Sequence, residues 1–195
     1  MITGTWKSPS SESKNFNSVL VAALTSNTIA KSTVEKDITD LLNKKGIKAY
    51  PGIEMFPPDI SNSDSDRVTI IQKVKGKKID AILTIALLRT ETESRYEDFD
   101  HPYNPTVRFG YYRNFWGYYS YQHPYGYDPQ YYTEKIYYIE TNLYDVSSED
   151  LIWSAQSKSY DIGNLEKFSK EFAASIVKKL SEDGIVKNKS EVTNK

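Results

Sequence analysis

Two His-Pro pairs, His101-Pro102 and His123-Pro124, and the carboxylates Glu91, Glu93, Glu97, Asp98 and Asp100 are the residues whose types can move a proton or hold a cation. An acidic run beside an imidazole offers the donor set of a hard-cation or zinc site. More simply, such a run is the solvated end of a strand. Neither histidine has a serine or carboxylate at a triad spacing, and the G-x-S-x-G, H-E-x-x-H and phosphate-loop patterns are missing. No catalytic residue, metal or cofactor is assigned, and an enzyme is not expected.

The second chemistry on offer is aromatic. Residues 111–132 read YYRNFWGYYSYQHPYGYDPQYY, with Tyr112, Phe115, Trp116, Tyr118, Tyr119, Tyr121 and Tyr125 as the candidate binding surface. Tyrosine and tryptophan combine a flat apolar face with a polar tip at low side-chain entropy, which suits sugar rings, peptide strands and protein hot spots. Single-stranded nucleic acid would also need a basic groove, and the segment holds only Arg113 against Asp128, so no nucleic-acid partner is expected. Aromatic belts lodge at membrane interfaces as well. Against these stands a plainer role, in which the rings cover an apolar face of the sheet. As a cleft wall beside Glu91, Glu93 or Asp128 the segment would instead serve a carbohydrate- or peptide-binding module or an enzyme, and self-association is a further use.

Composition narrows the setting. The 195 residues suffice for one sizeable core, and 25 basic against 26 acidic residues create no global field toward polyanions. Without cysteine there are no disulfides, thiol catalysis or thiolate metal sites. No stretch approaches the roughly 20 apolar residues of a membrane span, and MITGTWKSPSSESK lacks the apolar core of a signal peptide.

These side chains need a frame, and hydrophobic patterning supplies one. Residues 1–15, serine-rich and charged from Lys7 to Lys14, read as a flexible tether. FNSVLVAAL (16–24) is a strand covered on both faces. From about Thr28 to Lys45, Ile29, Val34, Ile38, Leu41 and Leu42 recur at helical spacing; Ser32 and Glu35 make a capping box if the helix begins late, and Gly46 follows its end. A short edge strand follows, limited by Pro51, Pro57 and Pro58. Val68, Ile71 and Val74 define a second helix, ended by Gly76.

IDAILTIALL (79–88) is a second doubly buried strand that runs on into RTETES. Residues 133–146 and 151–160 pair as a hairpin around SSED. Leu165, Phe168, Phe172, Ile176 and Leu180 form the stripe of a last helix, capped by Asn164 and stopped by Gly184. The expected fold is α/β (α+β), in the order β-α-β-α-β-β-β-α. A mixed sheet of about five strands packs with three helices, and a long Tyr-rich connection, 93–132, joins the third and fourth strands. The single domain spans 16–186, with a disordered tail at 187–195. The connection far exceeds the roughly 2 to 5 residues of a hairpin loop.

The hairpin text LYDVSSEDLIWSAQSKSY, followed by an amphipathic helix and preceded by the Tyr-rich insertion, resembles bacterial envelope lipoproteins of unknown function. The wider α/β arrangement is similar to the N-terminal domain of TolB and to the curli-secretion lipoprotein CsgG. Asp145, Leu151 and Trp153 carry the match, and their role is structural: a turn-former for Asp145 and a core ring packing on the last helix for Trp153. The resemblance implies a domain in the bacterial envelope, periplasmic or outer-membrane-facing, released from a signal peptide and held by a lipidated cysteine upstream of Met1. It implies an accessory or assembly module whose partner is an envelope protein or a glycan.

Overall fold

The run Ser18–Leu24 has no polar side chain after its serine, as suits a central strand covered by helices on both faces of the sheet. In the computed structural model it is β2, parallel to β3 (Lys48–Pro51) on one flank and to β4 (Ala81–Thr92) on the other. The structure describes residues 1–14, 16–55, 64–92, 135–160 and 162–186. The Tyr-rich connection 93–132 and the tail 187–195 lie outside these residues.

β5 (Lys135–Asp145) lies antiparallel to β4, and β6 (Leu151–Tyr160) antiparallel to β5, so the expected pairing and hairpin are present. β4 runs twelve residues, past the buried core, as RTET foretold. Six strands form the mixed sheet, in the order β1-β6-β5-β4-β2-β3.

The sixth strand corrects the sequence reading. Ile2–Lys7, expected within a flexible tether, is β1, antiparallel to β6 with Trp6 opposite Ser154. ITGTWK alternates half-buried and exposed residues, and the open edge of β6 supplies the backbone partners that the segment lacks locally. Pro9–Ser13 then forms a 3₁₀ turn capped by Ser8, whose hydroxyl accepts from the Ser10 N–H.

Among the described residues three helices pack in two layers around the sheet. α1 (Thr28–Lys44) and α3 (Leu165–Glu182) share one face, where Val34, Ile38 and Leu42 meet Phe172, Ile176 and Leu180 over β-strand residues that include Trp153. Ser169 on α3 donates to Asp37 on α1 at 2.6 Å, tying the pair. α2 (Asp64–Gly76) lies on the other face and sends Ile70 and Val74 into the core beside Leu20, Ile82 and Tyr144. Ile71, expected in that stripe, is only half-buried.

Helix ends follow local chemistry. The Asn164 side chain caps α3 through the Lys167 N–H at 2.9 Å, and Gly184 takes φ +71°, which lets Ile185 fold back onto Leu180. α1 covers the expected stretch from Thr28, so the late start that a Ser32–Glu35 capping box would need does not occur. Its cap is Asn27, accepting from Ala30 N at 3.0 Å, and Glu35 lies wholly buried.

Candidate functional site

β2 feeds α1 on one face of the sheet, and β3 leads toward α2 on the other. Open α/β sheets commonly bind ligands where the strand order reverses, here between β2 and β4, and the neighbouring crevice lies between the carboxyl ends of β2 and β3. Glu35 fills this crevice. Its Oε1 accepts from Ala23 N on β2 at 2.8 Å, and its Oε2 accepts from Ile53 N, just past β3, at 2.6 Å.

Gly52 makes room for this carboxylate. A Cβ there would stand 2.8 Å from the Val21 carbonyl and 3.1 Å from Glu35 Oε1. Burial pushes the Glu35 carboxyl up to about 7, against the backbone donors and the charge of Lys31, one turn earlier. The crevice is thus plugged from within, and Glu35 acts as a clamp between two strand ends.

The opposite end of the sheet carries a cavity lined by described residues. About 680 Å³ in volume, it lies between α2, the first residues of β4 and the β5–β6 hairpin. Its floor is apolar, built from Phe16, Ile70, Val74, Ile79, Ile82 and Tyr144. That volume falls within the range of small-molecule sites. Four charged side chains at the rim, Lys14, Lys75, Asp80 and Asp145, are joined by Glu149 on the hairpin.

Two of the rim carboxylates already have work in the fold. Asp145 Oδ1 accepts from the N–H groups of Ser147 at 2.7 Å and Ser148 at 2.9 Å, and from the Ser147 hydroxyl. Its Oδ2 receives the Lys14 ammonium at 2.7 Å. Burial alone would raise this carboxyl, but the Lys14 ammonium and the Ser147 and Ser148 donors more than offset it and hold it at about 2. Asp80 Oδ2 accepts from Asn17 N at 3.0 Å and Ser18 N at 3.1 Å, pinning the entry to β2.

Of the sequence candidates, Asp145 is the turn-former expected, with Lys14 as a partner that the sequence did not reveal. Leu151 and Trp153 are buried, and the Trp153 indole donates to Asp183 at 2.8 Å, just beyond the end of α3. Glu91 is half exposed, paired with Arg89 at 2.9 Å and bonded by the Tyr138 hydroxyl at 3.0 Å. Tyr112, Phe115, Trp116, Tyr118, Tyr119, Tyr121 and Tyr125 lie outside the described residues, as do both histidines, Glu93, Glu97, Asp98, Asp100 and Asp128. Among the described residues no three metal-ligating side chains converge, and no helix is long and apolar enough to cross a membrane.

The cavity and Glu35 were missed for different reasons. Each floor residue reads as ordinary core, and only the fold brings the separate segments together. Glu35 left a trace: it stands three residues before Ile38 and seven before Leu42, on the stripe that faces the sheet.

With this architecture the chain is similar to solved bacterial proteins that include lipoproteins. The PelC dodecamer from Paraburkholderia phytofirmans is 12% identical over 91% of this chain and 94% of that one, with a TM-score of 0.46. Lipoprotein GNA1162 from Neisseria meningitidis is 11% identical over 85% of this chain and 98% of that one, with a TM-score of 0.42. A minor lipoprotein from Acinetobacter baumannii is 7% identical over 86% of this chain and 94% of that one, with a TM-score of 0.34. No protein-family profile and no curated protein matches the sequence.

Proposed function

We propose that this protein is a non-enzymatic binding module of the bacterial envelope, an accessory or assembly component whose work is to hold a partner. The observation that carries the binding part is the cavity between α2 and the hairpin. Its floor is apolar, and the carboxylates Asp80 and Asp145 beside it are engaged by backbone amides and Lys14. A catalytic acid or base needs a carboxylate held toward a substrate, whereas these two hold the fold.

The envelope part is supported by the hairpin resemblance. Asp145, Leu151 and Trp153 occupy the turn and core roles that it implies. The aromatic composition of 111–132 supports a second contact surface, for an envelope protein or a glycan. Cell fractionation of the native host with an antibody to this domain tests the location. Recovery with membranes, released by detergent, is expected. Recovery in the soluble cytosolic fraction would overturn it.

A further inference from the structure

The cavity at the hairpin end also carries information about its ligand, and this inference rests on the binding reading above. Lys14 and Asp145 neutralise one another at 2.7 Å. Among the described residues, what remains at the rim is Asp80 and Glu149 against Lys75, an excess of one negative charge beside an apolar floor.

Asp80 is half-buried, and the two backbone amides it binds both go to Oδ2. Its Oδ1 therefore keeps acceptor capacity where solvent is partly excluded and charge–charge attraction is stronger than in bulk water. Glu149, held at φ +61° in the hairpin turn, adds a second carboxylate to the lining. An anionic head group would meet two carboxylates and one ammonium. A cationic one meets the same groups, two of which attract it and one of which repels it.

We infer that the cavity between α2 and the β5–β6 hairpin binds a small amphiphile with an apolar body and a primary ammonium head. The body lies on Ile70, Val74, Ile79 and Tyr144, and the head is held between Asp80 and Glu149. Lys75 sets the selectivity by repelling ligands that carry further positive charge close to the head. An apolar floor makes affinity grow with chain length, and the carboxylates make it depend on head-group charge.

The experiment is an NMR and calorimetric titration of the whole chain with n-alkylammonium ions from butyl to octyl, and with alcohols and alkanoates of the same length. For the ammonium series, affinity is expected to rise about four-fold per methylene until the floor is covered. Ammonium should bind more tightly than alcohol, and alcohol more tightly than alkanoate, with shifts at the Val74, Ile79 and Val146 amides. Glu149→Gln, on an exposed turn, should lower ammonium affinity about two- to five-fold and leave the alcohols unchanged. Asp80→Asn, which keeps an acceptor for the Asn17 and Ser18 amides, should do the same more strongly.

Alkanoates binding as well as or better than ammonium ions would overturn the head-group assignment while leaving a binding site in place. Alcohols and ammonium ions binding equally, with no effect of Glu149→Gln or Asp80→Asn, would do the same. Failure of all three series to bind would overturn both this inference and the reading of the cavity as a binding site.

Discussion

Glu35, between the carboxyl ends of β2 and β3, and Asp145, at the start of the β5–β6 hairpin, are acids taken out of water at opposite ends of one sheet. Glu35 has two amide donors and a lysine a turn away, and burial outweighs them, so its carboxyl titrates near neutrality at about 7. Asp145 is also shielded, but an ammonium in contact and the donors of Ser147 and Ser148 keep it ionised down to about 2. The difference lies in depth and in the charge of the partners: Glu35 is wholly inaccessible, whereas Asp145 lies nearer the surface with an ammonium in contact. One end of the sheet is closed by a group that works best neutral, and the other is braced by a permanent ion pair beside a cavity.

Removing the Glu35 clamp should have the largest effect. Glu35→Ala leaves the amides of Ala23 and Ile53 without their acceptor, at about 1–3 kcal/mol each, so a loss of about 3–4 kcal/mol is expected in urea unfolding at pH 5. The loss should be smaller at pH 8, where the intact protein already bears the ionised group. Equal losses at both pH values would break the contrast. The pH dependence itself comes next. A folded pKa raised from 4.5 to about 7 means that stability is fully present below 4.5 and declines as pH rises toward 7, by about 3 kcal/mol in total. Glu35→Gln should flatten that slope; a variant with the slope of the parent would assign the titration elsewhere.

How much of this was legible in the chain depends on whether the determinants are local. SVLVAAL, the α3 stripe behind Asn164 and the hairpin around SSED carry their own structure in period and caps, and each lies where its pattern puts it. ITGTWK has two large apolar residues in six, and it becomes a strand only because β6, some 150 residues later, offers an edge. Glu35 reads as a helix-start acid until Ala23 and Ile53 come together around it. The cavity is further from view still. Phe16, Ile70, Ile79 and Tyr144 sit in four separate stretches, and nothing in any of them separates a residue lining a space from one filling it.

The Asp145 end supplies the smaller tests. Its folded pKa lies below the unfolded 3.8, so its contribution is present above 3.8 and is lost as pH falls through about 2, about 2 kcal/mol in all. Measured as the difference between the parent protein and Asp145→Asn, that contribution should be constant above pH 5 and shrink by about 2 kcal/mol as pH falls from 4 to 2. The smallest effect is Ser147→Ala. It deletes the hydroxyl that donates to Asp145 Oδ1 but keeps both turn amides and the Lys14 contact, so about 0.5–1 kcal/mol should go. Because burial is then opposed by one donor fewer, the Asp145 carboxyl should also titrate at a higher pH, visible by carbon NMR of its side chain. An unmoved titration would mean that the ammonium and the amides hold the charge alone, and the contrast with Glu35 would then rest on Lys14, the one contacting cation.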